Sequence, residues 1–162
     1  MSLKFSAPQP LAVSHLLDDF ESGESVLDEW LKRRAMNNQL SGASRTFVVL
    51  DEENRVRGFY AMAAGAVSHP MATRTVRRNM PDPIPVLVLG RLAVDRRAQG
   101  IKLGAAVLQD AVNRATTVSQ NTGVRALLVH ALHERAKQFY LHYAFQESPQ
   151  HPMTLMLSLN RW

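Results

Sequence analysis

The segment Gln99-Gly100-Ile101-Lys102-Leu103-Gly104-Ala105 has the composition of a ligand-binding turn. Gly100 and Gly104 allow the backbone to come close to a bound group. Lys102, with Arg96 and Arg97 just before it, adds positive charge. Leu103, Val107, Leu108, Ala111, Val112 and Ala115 follow with the spacing of a helix. A turn that runs into a helix N-terminus presents free backbone N–H groups and the positive end of the helix dipole to an anion, so the chemistry it suggests is phosphate or diphosphate binding. A tight strand–helix connection with incidental basic residues has the same spacing. The turn does not end in Gly-Lys-Ser/Thr, which excludes a Walker loop, and the Gly-x-Gly-x-x-Gly fingerprint of dinucleotide sites is missing.

A second reactive group is Tyr140, next to Phe139 in a segment of helical pattern. A phenol, with a reference pKa of about 10, can protonate a leaving thiolate whose own value is about 8.5. An aromatic packed in a core is the plainer reading of the same residue. Cysteine is absent, so there is neither a thiolate nucleophile nor a disulfide frame. The six histidines do not show ligand spacing with carboxylates, so no metal site is expected. No serine sits in a nucleophile-elbow pattern.

These groups need a scaffold. The apolar run around residues 86–94, approached through Pro81-Asp82-Pro83-Ile84-Pro85, predicts a buried central strand. Upstream, residues 1–12 read as extended and residues 13–20 as a short helix. Ser25 with Asp28 is a capping-box variant opening a helix over 26–40, with Leu27, Trp30, Leu31 and Ala35 turned inward. Residues 45–50 and 55–67 form an antiparallel hairpin, and 74–78 form a short helix or loop. Downstream come a strand at 124–131, a helix at 134–142, a short strand from Phe145 and an alternating strand at 153–159. There is no repeat or linker, so residues 1–162 read as one α+β domain with a mixed sheet. No apolar run approaches the roughly 20 residues that cross a bilayer, and the N-terminus lacks a signal-like apolar core, so no membrane association and a cytoplasmic location are expected. A net charge of +5 points to a polyanionic partner or a phosphorylated ligand. Its basic residues cluster at Lys32-Arg33-Arg34, at Arg74 with Arg77-Arg78, and at Arg96-Arg97.

Taken together, the chain resembles the GNAT acetyltransferase superfamily. Gln99-Gly100-Ile101-Lys102-Leu103-Gly104 follows that family's Arg/Gln-x-x-Gly-x-Gly/Ala signature, with Lys102 in place of the middle glycine. Ala136-Lys137-Gln138-Phe139-Tyr140-Leu141-His142-Tyr143-Ala144-Phe145 follows its Ala-x-x-Phe-Tyr-x-x-x-Gly-Phe end, with Ala144 in place of glycine. Further segments are similar to the GNAT toxins of bacterial toxin–antitoxin systems: Leu27-Asp28-Glu29-Trp30-Leu31-Lys32, Arg45-Thr46-Phe47-Val48-Val49, Gly58-Phe59-Tyr60 and the run from Arg77 to Asp95.

That resemblance implies a GNAT fold with a mixed, mostly antiparallel central sheet flanked by helices. It implies acetyl-CoA as co-substrate, with the free α-amine of aminoacyl-tRNA as acceptor and a block on translation as the outcome. It also implies a homodimer and a ribbon-helix-helix antitoxin, with operator DNA contacted only through the antitoxin complex. Carried onto this chain, Leu92, Ala93 and Val94 pair with the pantetheine arm. Gln99, Gly100, Ile101, Lys102, Leu103, Gly104 and Ala105 hold the diphosphate, helped by Arg96 and Arg97. Tyr140 protonates the departing thiolate. Lys32, Arg33, Arg34, Arg77 and Arg78 are candidates for tRNA phosphates.

An α-amine with a pKa around 8 is about one-tenth neutral at pH 7, whereas a lysine amine is neutral at well under a tenth of a per cent. Such an acceptor needs little help from a base; Glu134 and Asp95 are the conceivable ones. Two other readings fit the same residues. One is a GNAT enzyme acting on a protein N-terminus or small amine. The other is a non-catalytic nucleic-acid-binding module on a degenerate GNAT fold.

Overall fold

The computed structural model describes residues 4–159. They form two compact units. One takes in residues 4–63 and Gly90–Ala111; the other comprises Ala64–Leu89 and residues 112–159.

In the first unit, β1 (Gln9–Pro10) pairs antiparallel with β2 (Arg45–Leu50), and β2 with β3 (Val56–Val67), in a register that sets Val48 opposite Phe59. The next strand in the sheet is β4 (Ile84–Val94), and just past its end the Asp95 amide donates to the Arg57 carbonyl at 2.8 Å. The helices α1 (Ser25–Arg33) and α2 (Ala35–Ser41) bring Leu31 and Ala35 into a core with Phe20, Val48, Phe59 and Ala93. Trp30 stacks on Phe59 at 6.1 Å, and Phe20 meets the same ring edge-on at 5.5 Å. Gly58 matters to the site. A Cβ there would stand 3.4 and 3.5 Å from Val107 and Leu103, so its bare backbone lets the start of the long helix α4 (Leu103–Asn121) settle on β3.

In the second unit, β4 runs parallel to β5 (Ala126–His130), with Val86 opposite Ala126. Antiparallel pairs join β5 to β7 (Thr154–Ser158) and β7 to β6 (Gln146–Glu147). Val67, Ile84, Val86, Leu128 and Met156 are the centre of its core, beside α3 (Arg74–Arg77), and α5 (Glu134–His142) follows β5. With one parallel pair among antiparallel ones, this is the mixed, mostly antiparallel α+β sheet expected. No helix among the described residues is long and apolar enough to cross a membrane.

Two local expectations are corrected. Residues 13–20 are not a helix, because Leu16 bridges to Arg55. Its N–H donates to the Asn54 carbonyl and its carbonyl accepts from Val56, each at 3.0 Å, so the hairpin takes the groups a helix would use. The helix expected over 26–40 breaks at Arg34 (φ −121°). After the break, Gln39 accepts from the Thr46 amide at 2.8 Å, a tertiary bond that an unbroken helical pattern does not foretell. The start of α1 also differs. Glu24 is the N-cap, and Asp28 reaches back to accept from the Ser22 amide and hydroxyl, the latter at 2.6 Å.

Candidate active site

The turn after β4 is built outward from Asp95, which is fully buried. Its carboxylate accepts from the Arg97 amide at 2.9 Å, capping the 3-10 turn Arg96–Ala98, and from the Glu21 amide at 3.0 Å. The Gln99 side chain donates to the Val94 and Ser22 carbonyls, both at 2.9 Å. Arg96 pairs with Glu21 at 2.6 Å, and Arg97 reaches Asp19 at 3.2 Å and Asp95 at 3.4 Å. The side chains of Arg96, Arg97 and Gln99 therefore fasten the turn to residues 19–22.

Beyond them the chain takes two left-handed residues, Gly100 (φ 83°) and Lys102 (φ 62°), and enters α4. Among the described residues, none accepts a hydrogen bond from the backbone amides of Gly100 through Ala105. The next amide, that of Ala106, donates to the Lys102 carbonyl at 3.2 Å. Six successive unpaired donors, with Lys102 among them, stand at the head of a helix, an arrangement chemically suited to an anion. Lys102 adopts the backbone shape of the glycine it replaces, at a cost of about 1–2 kcal/mol for an L-residue. Just upstream, half-buried Leu92 and Val94 flank buried Ala93 at the end of β4.

The ion network behind the turn centres on Arg57, which sequence reading missed. Its guanidinium is buried and contacts Asp51 at 3.1 Å, Asp19 at 3.2 Å and Asp95 at 3.3 Å. Burial alone would raise the Asp19 and Asp51 carboxyls. For Asp19 the hydrogen bond and charge of Arg57 outweigh it; for Asp51 the Arg55 and Glu53 amides and then Arg57 do, so both lie below the usual range. The available signal was an arginine inside an otherwise apolar strand run. Asp95, sunk in this network, is not placed to act as a base. Glu134 is exposed and accepts from Gln138 at 2.9 Å.

Arg91 contrasts with these paired arginines. Its guanidinium carbon stands 4.6 Å over the Trp30 ring, and its Nε is buried with no hydrogen-bond partner among the described residues.

In the second unit, α5 ends in a Schellman motif. Phe145 N donates to Tyr140 O at 3.1 Å and Ala144 N to Leu141 O at 3.2 Å, with Ala144 left-handed at φ 75°. Phe139 and Phe145 stand edge-on to Tyr140, which is 6% exposed. Burial raises its phenol above the ordinary value, and among the described residues none hydrogen-bonds its hydroxyl. The candidate tRNA-contacting residues lie at two places. Lys32, Arg33 and Arg34 are exposed at the end of α1, with Arg33 paired to Glu29 at 2.6 Å. Arg77 is the last residue of α3 and Arg78 its C-cap, and Arg125 fastens this short helix by donating to the Thr75, Val76 and Arg78 carbonyls.

The family described as acetyltransferase (GNAT) domain matches residues 16–153. A protein named tRNA-acetylating toxin, from Mycobacterium tuberculosis, is 48% identical over 153 residues, spanning 94% of this chain and 92% of that protein. AtaT complexed with acetyl-methionyl-tRNAfMet superposes with a TM-score of 0.86 at 24% identity, over 97% of this chain and 95% of AtaT. A tyrosine-to-phenylalanine mutant of AtaT, bound to the C-terminus of the antitoxin AtaR and acetyl-CoA, gives 0.79 at 24% identity, over 98% and 94%. An AtaT–AtaR complex is also solved bound to DNA.

Proposed function

The chain belongs to the GNAT acetyltransferase family, and from that premise we propose that it moves the acetyl group of acetyl-CoA to the free α-amine of aminoacyl-tRNA and so acts as a toxin that stops translation. The observation that carries this reading is the row of unpaired amides from Gly100 to Ala105 at the head of α4. A diphosphate fits that donor set, and Lys102 adds charge to it. The 48% identity to a tRNA-acetylating toxin supports the choice of acceptor.

In this mechanism the amides of residues 100–105 bind the diphosphate of acetyl-CoA. The backbone of Leu92, Ala93 and Val94 pairs with its pantetheine arm. Arg96, Arg97 and Gln99 hold the turn in shape from behind. The neutral amine attacks the thioester carbon, the carbon–sulfur bond breaks, the Tyr140 hydroxyl gives its proton to the leaving sulfur, and the proton shed by the new amide nitrogen passes to solvent, from which the phenolate is reprotonated. Burial pushes the phenol up from its ordinary value, so it keeps its proton at pH values near 8, where the α-amine becomes neutral. Lys32, Arg33, Arg34, Arg77 and Arg78 meet tRNA phosphates, in keeping with the net charge of +5.

The protein works in the cytoplasm as a homodimer. Its inhibitor is a ribbon-helix-helix antitoxin, through which alone it contacts operator DNA; AtaT, solved with its antitoxin and with DNA, supports that arrangement. The family match from 16 to 153 supports one catalytic domain over the whole chain. The test is transfer of label from radioactive acetyl-CoA. Charged tRNA takes up label, and tRNA stripped of its amino acid does not; equal labelling of both would overturn the reading.

A further inference from the structure

Half-buried arginines in a folded chain normally find acceptors, because an unmade hydrogen bond to a buried donor is costly. In the first unit half-buried Arg55 and buried Arg57 obey that rule, each bonded to a carboxylate, and even the exposed Arg96 and Arg97 are paired. Arg91 does not. It projects from β4 onto the Trp30 ring at 4.6 Å, its Nε is buried and unpaired, and no carboxylate among the described residues pairs with it. Trp30 is fixed in turn by stacking on Phe59, so the guanidinium is held by a rigid aromatic pair rather than by a counter-charge. Burial without compensation lowers the arginine's pKa from its ordinary value. Such a group lacks an anion.

Its position says which anion. Arg91 lies three residues before Val94 on the same strand, about 10 Å at strand rise. The diphosphate-binding amides lie on the other side of Val94, so this arginine is at the end of the strand segment away from them. The exposed Lys32, Arg33 and Arg34 follow Trp30 at the end of α1, with Arg33 paired to Glu29, so further cationic side chains lie within four residues of the ring that carries Arg91.

We propose that Arg91, oriented by Trp30, binds a backbone phosphate of the incoming aminoacyl-tRNA and positions its amine for attack. This inference rests on the acetyl-transfer reading above and adds a residue that selects a nucleic-acid acceptor over a free small amine.

The experiment compares wild type, Arg91→Gln and Arg91→Lys. For Arg91→Gln, KM for charged tRNA rises about 10- to 100-fold, the loss expected for one charged hydrogen-bonded contact. The affinity for acetyl-CoA is unaltered. The slope of log affinity for tRNA against log salt falls by about one. The preference for charged tRNA over a phosphate-free aminoacyl-adenosine drops at least about 10-fold. Arg91→Lys recovers part of each effect. Thermal stability falls only by the loss of the Trp30 contact, and a stability loss with an unaltered KM for tRNA would mark a purely structural arginine.

Wild-type salt slope and tRNA KM in Arg91→Gln would overturn the inference, as would a matching loss of acetyl-CoA affinity. If Arg91→Gln does not fold, Arg91→Lys decides, with an intermediate KM expected and a wild-type KM and preference contradicting. A wild-type chain inactive on charged tRNA overturns both readings; an active wild type matched by Arg91→Gln overturns this one alone.

Discussion

Tyr140 and Phe145 are joined twice: the Phe145 amide donates to the Tyr140 carbonyl at 3.1 Å, and their rings meet edge-on with centroids 5.4 Å apart. The backbone bond ends the helix and the ring contact fixes the phenol's tilt, so the motif that stops α5 also orients its reactive group. Ala144 makes this possible by taking a left-handed conformation that favours glycine.

Replacing Tyr140 with Phe keeps both ring contacts and the helix end while deleting only the hydroxyl. The folded state is expected to survive, and acetyl transfer to slow by about two to four orders of magnitude, the range for loss of a general acid. Steady-state kinetics alongside thermal unfolding checks this. Turnover within a few-fold of wild type removes Tyr140 from the mechanism.

Ala144→Gly is expected to stabilise the chain by about 1 kcal/mol, because it relieves an L-residue held at φ 75°. Urea denaturation measures the difference. Ala144→Val, β-branched at the same site, moves the midpoint the other way. A glycine variant less stable than wild type would show that the strain had been released elsewhere.

The pH dependence of kcat/KM carries the signature of the amine. The rate is expected to climb about tenfold per pH unit below roughly pH 8 and to level off above it, as the α-amine loses its proton. Burial moves the Tyr140 phenol upward, so no falling limb is expected below about pH 10. A decline starting near pH 9 would mean that the acid has an ordinary or lowered pKa.

Arg57 holds half-buried Asp19 and Asp51 and buried Asp95 together, and Arg57→Leu is expected to cost about 3 kcal/mol, chiefly by taking a charge partner from the buried Asp95 carboxylate. The wild-type network also sets an acid limit. Asp19 and Asp51 lie below their unfolded values, so their contribution is complete above about pH 4 and is lost as pH falls through the lowered folded-state values. Unfolding midpoints at pH 7, 4 and 3 should be flat first and then drop. In Arg57→Leu that drop should shrink without vanishing, because the Arg55 and Glu53 amides still hold Asp51 down and Arg55 and Arg97 still face Asp19.

The parts of this molecule written in short-range pattern were readable in advance. The strand, turn and helix around residues 86–108 follow from an apolar run, two glycines and a 3.6-residue period. The helix at 134–142 was readable too, with Ala144 marked as standing where the family has glycine. What escaped was set by partners far along the chain. Nothing near Arg96 or Gln99 announces that their side chains turn to residues 19–22, more than seventy positions away. The helical look of residues 13–20 gave way to bonds with Asn54 and Val56. Arg91 reads as one polar residue in an apolar run, and only the ring beneath it makes it unusual.

The central claim is that the amides at the head of α4 hold the diphosphate, and amide NMR during an acetyl-CoA titration tests it most directly. The account predicts that the largest shifts, and new protection from hydrogen exchange, fall on residues 100–105, and that acetyl-pantetheine, which lacks the diphosphate, produces neither there. Saturable binding of acetyl-CoA that leaves those amides unshifted and freely exchanging would contradict it.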